Sequence, residues 1–505
     1  MTTAALPRAP QPGADVASTF VVATSCARCG APLDFAEGSN AVRCAHCGTV
    51  LLVTGRRRVL RWAIRPHTTA LEAQKIASFA HGSARAGAPP RLLFVPYYRL
   101  TAEELVWRRE RVRRASDELE SERPCDEGPR LLRALRGVAR PREGDVELAL
   151  TSRVLERSFL ACDALAPLAS WSLGVRTGVL RVELFARDAL EREGTVLEPT
   201  LDPDAALAHA LAPQVPGDVV QRDVLRVVLA LVWFPLWVVP AAQRTVVVID
   251  GVTGSLVARE AAATLVDEQV ARRDGAGDGE HVVGFRPLCC PNCGWDFALR
   301  AADVVFHCAS CERTWELRGE DLQPIASDVV MPTAVDASDA LPRLPVWEVR
   351  GAVRVRDDAA GRVAAPPCGL PDRLFAPAFA WRGVDRLCDL GVRLARGAPA
   401  SPDLELVKDM ALTGCSLDRA DAVTLARQVA LALLLDDANV RFAAAHGRPA
   451  PEVAIEGATA KLLWLPFAGD AYSVRDPYTG YALPRRTVAA LLDAPPADRR
   501  ATRDP

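Results

Sequence analysis

Two cysteine pairs, Cys26/Cys29 and Cys44/Cys47, lie fourteen residues apart, and the same spacing returns at Cys290/Cys293 and Cys308/Cys311. No other feature restricts the fold of this chain as tightly. A CxxC pair closes a tight knuckle, and a hairpin that apposes two knuckles brings four thiolates into a tetrahedron, the geometry of a zinc site. The metal holds all four sulfurs deprotonated, so its binding free energy contributes to folding. Gly30, Gly48 and Gly294 follow three of the four knuckles, where the chain turns sharply and a residue without Cβ costs least, whereas Glu312 follows the fourth. Four cysteines fill the tetrahedron and leave no position for water or substrate, so the spacing predicts two structural ions and no metal-based catalysis. His46 and His307 adjoin ligand cysteines and Cys289 adjoins Cys290, which makes them competing ligands; the repeat spacing favours the eight cysteines named first.

A chain of 505 residues is too long for one core and predicts roughly two to four domains. Half of it is hydrophobic and a quarter charged, a globular composition. With 61 basic against 63 acidic residues, no global field draws it to nucleic acid or to an anionic membrane. CxxC pairs in a large chain indicate a reducing compartment, hence the cytoplasm. The scattered Cys125, Cys162, Cys368, Cys388 and Cys415 read as buried free thiols. The opening residues lack the charged start and apolar core of a signal peptide and read as a disordered Pro/Ala-rich leader. Val227 to Ala242 is uncharged, but it is shorter than the roughly twenty residues that span a bilayer and contains Pro235 and Pro240. Its Val, Trp and Phe content predicts a buried strand and no membrane span.

The order of elements repeats. In the first half a strand is predicted at Leu60–Ile64, a helix at 70–81 with Leu71, Ile76 and Phe79 as its apolar stripe, and a strand at Leu92–Arg99. Residues 101–114 fit a helix or a hairpin, and 115–145 a long surface excursion. A helix is predicted at 202–211, strands at 231–237 and 244–250, and a further helix at 260–273. The second half offers a counterpart to each key segment. Leu344–Val349 matches Val95–Leu100, Leu390–Arg393 matches Leu173–Arg176, and Ser416-Leu417-Asp418 matches Thr200-Leu201-Asp202. Trp464–Phe467 matches Trp233–Leu236, and the turn beginning at Asp476 matches Asp250-Gly251-Val252-Thr253-Gly254. Matches in the same order, at offsets that drift as loops lengthen and shorten, point to a duplicated unit.

Catalytic motifs are missing: the sequence has no GxxxxGK[ST] phosphate loop, no strand-linked GxGxxG, no HExxH and no GxSxG elbow. Asp250 and Asp476 form a symmetric acidic pair, although an Asp that makes a turn explains both positions. The aromatics Tyr97, Tyr98, Trp233, Trp237, Trp347, Trp464 and Phe467 read as core. Arg56, Arg57, Arg58 and Arg61 give the first metal site a basic neighbour suited to phosphate, but the second site has Glu312, Glu316, Glu320 and Asp321 instead.

The two cysteine-rich stretches resemble the zinc ribbon of transcription-initiation-factor type and its rubredoxin-like knuckles, over about thirty residues each. With the Pro-and-aromatic strands that follow, the whole resembles bacterial tandem zinc-ribbon proteins of uncharacterised function. The resemblance implies Cys26, Cys29, Cys44 and Cys47 as one Zn2+ site and Cys290, Cys293, Cys308 and Cys311 as the other. It implies no activity, because such ribbons serve transcription factors, enzymes and scaffolds alike. The expectation is an α+β protein of two homologous halves, each a four-cysteine zinc ribbon plus a strand-rich domain with a few helices. Residues 1–22 would be the leader, 23–55 ribbon 1, 56–273 domain 1, 274–286 a linker, 287–320 ribbon 2, 321–494 domain 2 and 495–505 a disordered tail. The expected function is that of a non-enzymatic scaffold or adaptor binding another protein. Nucleic-acid binding through Arg56, Arg57, Arg58 and Arg61 is the alternative, and an enzyme with a cleft between the halves comes third.

Overall fold

The computed structural model describes residues 20–55, 59–81, 89–111, 146–162, 181–212, 219–241, 245–262, 283–297, 300, 302–330, 343–357, 362–364, 370–379, 383–398, 404–405, 412, 414–436, 440–441, 445–446, 452–469, 473–476 and 478–484. The fold is mixed α+β and mostly strand, with five helices among the described residues.

In the first half, β1 (Val21–Ser25) and β2 (Pro32–Ala36) flank one knuckle, and β3 (Ala41–Arg43) and β4 (Val50–Thr54) flank the next. Then come β5 (Leu60–Ala63), α1 (Ala70–His81), the long β6 (Arg91–Arg111) and β7 (Val146–Leu160), β8 (Arg181–Leu184), α2 (Arg187–Glu191), β9 (Thr195–Val196) and α3 (Pro203–Leu211). The half closes with the long β10 (Val219–Pro240), β11 (Thr245–Asp250) and β12 (Leu256–Ala262). The second half opens with β13 (Gly284–Pro287), β14 (Val305–His307), β15 (Thr314–Arg318), β16 (Asp321–Ile325) and β17 (Ser327–Val330). It continues with β18 (Arg343–Asp357), β19 (Arg362–Ala364), β20 (Arg373–Pro377), α4 (Val384–Gly397), β21 (Leu404–Glu405), α5 (Arg419–Leu434), β22 (Glu452–Pro466), β23 (Ala468–Gly469), β24 (Ser473–Arg475) and β25 (Ala482–Pro484).

Strand alternation sorts the first core into two faces. Along β10, Ala230, Val232, Phe234, Leu236 and Val238 pack beneath the first ribbon, with its Val22, Leu33 and Phe35. The intervening Leu229, Leu231 and Trp233 pack with Ala206 and Ala210 of α3. Trp62 Nε1 donates to Glu37 at 3.0 Å and Arg99 pairs with the same buried carboxylate, so ribbon 1 is pinned to the sheet through polar bonds as well as apolar area. In the second half Trp347 and Trp464 share a core with Leu387 of α4 and with Leu425 and Val429 of α5. The aromatics read as core are buried, apart from a half-buried Trp237.

The halves match in topology and in register. β10 lies between antiparallel β6 and parallel β5, with Trp233 opposite Pro96 and Ala63. β22 lies between antiparallel β18 and parallel β17, with Trp464 opposite Pro345 and Val329. β7 flanks β6 as β20 flanks β18. Ala161 N donates to Pro96 O at 3.0 Å and Ala378 N to Pro345 O at 2.9 Å. Tyr98 Oη donates to Leu201 O at 2.9 Å, and Trp347 Nε1 to Leu417 O at 3.0 Å. Each of these carbonyls precedes the Asp that caps the next helix, Asp202 for α3 and Asp418 for α5. Each long pair also carries a bulge, with Arg226 (φ 51°) at one and Gly457 (φ 62°) at the other.

Several expectations need correction. The helix-or-hairpin segment 101–114 is extended as far as Arg111, where it is the distal part of β6 paired to both β7 and β10; 112–114 lie outside the described residues. Glu260–Ala262 belong to β12, whose pairing with β11 outweighs their helical composition, and the rest of 260–273 lies outside the described residues. Phe20 and Val22, expected within the leader, are buried, and Val21 and Val22 belong to β1; residues 1–19 lie outside the described residues. Gly284–Arg286, expected within the linker, pair with β4 as part of β13, and residues 274–282 lie outside the described residues. Helix α1 forms behind a Thr69/Glu72 capping box, and of the expected stripe only the half-buried Ile76 packs on the core, beside the buried Ala73 and Ala77, whereas Leu71 is 63% and Phe79 93% exposed. The uncharged stretch from Val227 runs through β10 to Pro240, and no helix among the described residues is long and apolar enough to cross a membrane. Leu390–Arg393 lie in α4, whereas their counterpart 173–176, the excursion 115–145, Cys125, Cys368 and the tail lie outside the described residues.

Candidate metal centres

Each knuckle is built by the backbone before any metal is considered. Gly30 N donates to Cys26 O at 2.8 Å and Gly48 N to Cys44 O at 2.9 Å; Gly294 N and Glu312 N donate to Cys290 O and Cys308 O, both at 2.8 Å. The bond requires the left-handed region at its donor residue, and the four φ values are 73°, 71°, 74° and 58°. Glu312 therefore closes the fourth knuckle as the glycines close theirs, with the strain of a side chain added.

The turns aim four sulfurs at a common point in each ribbon. Cys26 and Cys47 Sγ are 3.9 Å apart, and Cys29 and Cys44 Sγ 3.7 Å. In the second ribbon Cys290–Cys311 and Cys293–Cys308 are 3.6 and 3.5 Å apart. All four sulfurs of each group lie within 4.8 Å of one another, and either group can hold a metal ion. A tetrahedron with metal–sulfur bonds of about 2.3 Å has edges of about 3.8 Å, so these spacings suit a shared cation; a disulfide would need about 2.0 Å. In both groups the first cysteine of each pair is buried, the second cysteine of the first pair is exposed and the last is intermediate.

The thiols within each group differ in acidity. The Thr49 hydroxyl and amide hold the Cys47 thiol down to about 6. Burial raises Cys311, but the Arg313 amide and the bond with Cys290 outweigh it and bring the thiol to about 7. Burial pushes Cys308 up to about 12, and hydrogen bonding with Cys293 and Cys311 adds to it. Four thiolates this close repel one another unless a positive ion lies between them.

None of the competing ligands joins a group. His46 is exposed, Cys289 forms an isolated bridge with Asp296, and His307 Nδ1 lies 3.0 Å from Thr314 Oγ1. Burial pushes His307 down to about 4, so its ring is neutral. Of the basic cluster, Arg56, Arg57 and Arg58 lie outside the described residues, and Arg61 sits on β5, hydrogen-bonded between β10 and β8. Asp250 accepts the amides of Val252 and Thr253 (2.7 and 2.9 Å), and Asp476 those of Tyr478 and Thr479 (3.0 and 3.1 Å). Both carboxylates serve their own turns.

The two ribbons share a core, which the spacing of the cysteines did not disclose. Ala41, Val50 and Leu52 of ribbon 1 pack with Leu288, Cys290, Phe297, Phe306, Cys308 and Trp315 of ribbon 2. β13 pairs antiparallel with β4, Leu288 N donates to Val50 O at 2.9 Å, and Asn40 Nδ2 donates to Asp303 O at 3.2 Å. Contacts this far apart in sequence leave no local signature. A second junction joins the two halves of the chain: Trp107 Nε1 donates to Gln428 Oε1 at 2.8 Å, and Arg427 Nη2 pairs with Asp223 at 2.5 Å.

Comparison with family models, curated proteins and solved structures finds no match. The geometry of the two sulfur groups is therefore what a functional reading has to rest on.

Proposed function

We propose that each cysteine group holds one zinc ion as a structural centre, in a duplicated chain that serves as a scaffold for a protein partner in a reducing compartment. The observation that carries the metal reading is the pair of four-sulfur groups, each with edges near those of a zinc–thiolate tetrahedron. Four thiolates are a soft, tetrahedral donor set that suits zinc, and they complete its coordination, which supports a structural role. The shared register and the matched bulges support descent of both halves from one unit. For the scaffold reading the support is apolar surface left outside the core: Phe79 and Leu71 on α1, and Trp295 (53% exposed) beside the third knuckle.

Elemental analysis of the purified full chain is expected to find two zinc ions, and the Cys29→Ser/Cys44→Ser and Cys293→Ser/Cys308→Ser variants one each. A wild-type chain without zinc would overturn the reading. For the partner, Phe79→Asp is expected to leave zinc content and melting unchanged and to abolish the protein's association in affinity capture. Retention of nucleic acid that weakens steeply with salt would favour the phosphate-binding alternative instead.

A further inference from the structure

We infer that the two cysteine groups load metal cooperatively, the first ion bound raising the affinity of the other site; the inference rests on the metal reading above. The groups have no ligand in common, so the coupling has to travel through the protein between them.

The route is short. Val50, three residues past Cys47, accepts the amide of Leu288, two residues before Cys290 (2.9 Å). Val50 and Leu52 pack in one cluster with Leu288, Phe306 and the ligands Cys290 and Cys308. β13, which leads into the third knuckle, has its strand partner in β4, which leaves the second. Part of the surface that holds the second ribbon's ligands in place therefore belongs to the first ribbon, and in the other direction Val283 and Phe285, which lead into the second ribbon, pack in the cluster that contains the first group's Cys26 and Cys44.

Strands of three to five residues bury too little to hold a knuckle pair unaided, and such ribbons take much of their folding free energy from the metal. An ion bound at the first group orders β3 and β4. That presents a paired edge and an apolar face to the second ribbon, whose ligands are then organised before their own ion arrives. Thermodynamic linkage makes the effect reciprocal, and couplings between protein sites usually change affinity by roughly 5- to 150-fold.

The test is a competitive zinc titration of the full chain, with a chromophoric chelator as reporter, in the wild type and in the two serine variants. The expected result is that each isolated site binds at least about 5-fold more weakly than the mean site of the wild type. Equal affinities in wild type and variants would overturn the inference while leaving two zinc ions per chain; a wild type that takes up no zinc would instead overturn the metal reading. If a serine variant fails to fold, Leu52→Ala carries the test, because it keeps all eight cysteines and thins the shared core. Native mass spectrometry at half saturation is then expected to show more one-ion chains for Leu52→Ala than for wild type, and an unchanged fraction would overturn the coupling.

Discussion

Glu312 occupies the place where the other three knuckles have glycine, and its φ of 58° is one that a residue with Cβ reaches at a cost of roughly 1–2 kcal/mol. Glu312→Gly removes that strain but gives the unfolded chain more freedom. The two effects leave a net stabilisation of about 1 kcal/mol, to be read as a higher denaturant midpoint at constant metal content. Arg226 is the second residue of this kind. Its counterpart Gly457 turns the same bulge freely, whereas Arg226 is held by Asp421, which accepts its amide at 3.0 Å, by Glu103 at 2.6 Å and by Ser416 at 2.7 Å. The two four-cysteine groups were legible because a motif of fixed spacing carries them. Arg226 was not, since its conformation is imposed by Asp421 and Ser416, nearly two hundred residues away in sequence.

Among the elements, the two Asp turns show how repetition and burial diverge. Gly254 N donates to Asp250 O and Gly480 N to Asp476 O, both at 2.9 Å, so the loops have the same hydrogen-bonded frame. Asp476 is fully buried, whereas Asp250 is half-buried. Asp476→Ala removes a buried carboxylate that accepts two part-buried amides and the Thr479 hydroxyl and is expected to cost about 1–3 kcal/mol, and Asp250→Ala less, because the Thr253 amide it accepts is already exposed to water. Urea denaturation of the two variants measures the difference. The turn motif and the Pro-and-aromatic strands were readable because local chemistry decides them. Helix α1 shows the limit: periodicity located the helix, but Ala73 and Ala77 face the sheet because small side chains allow close approach, and Leu71 and Phe79 are left outside. The 101–111 segment shows another limit, since a strand paired on both sides overrides a helical composition.

At the scale of the whole molecule, the long strands of the first half reach past their own core, and Leu105 and Leu225 join the core of the second. The counterparts in the second half end in charged pairs such as Arg354–Glu456, so the two halves are not interchangeable as docking surfaces. This junction confers a pH dependence. Burial, reinforced by the charge of Asp418, raises the Asp421 carboxyl to about 6 from an unfolded value near 4. The folded chain then holds this proton more tightly than the unfolded one. The contribution is present in full below about pH 4 and is lost as pH rises through about 6, a change on the order of 2–3 kcal/mol. Asp421→Asn keeps an oxygen to accept the Arg226 amide and cannot ionise. Its stability relative to wild type is expected to rise between about pH 5 and about pH 8, measured by chemical denaturation at both.

The pairing of β13 with β4 also bears on how the chain emerges from the ribosome. Proteins are made from the N-terminus at about 5–20 residues per second, and domains generally fold as they appear. Ribbon 1 emerges well before the strand that covers its edge, which is encoded past residue 283. Until then β4 shows open backbone groups to its surroundings, and an uncovered edge invites pairing with neighbouring nascent chains. Under the metal reading proposed above, an ion taken up early would keep that exposed hairpin in shape through the interval, and yield would then depend on metal supply during translation.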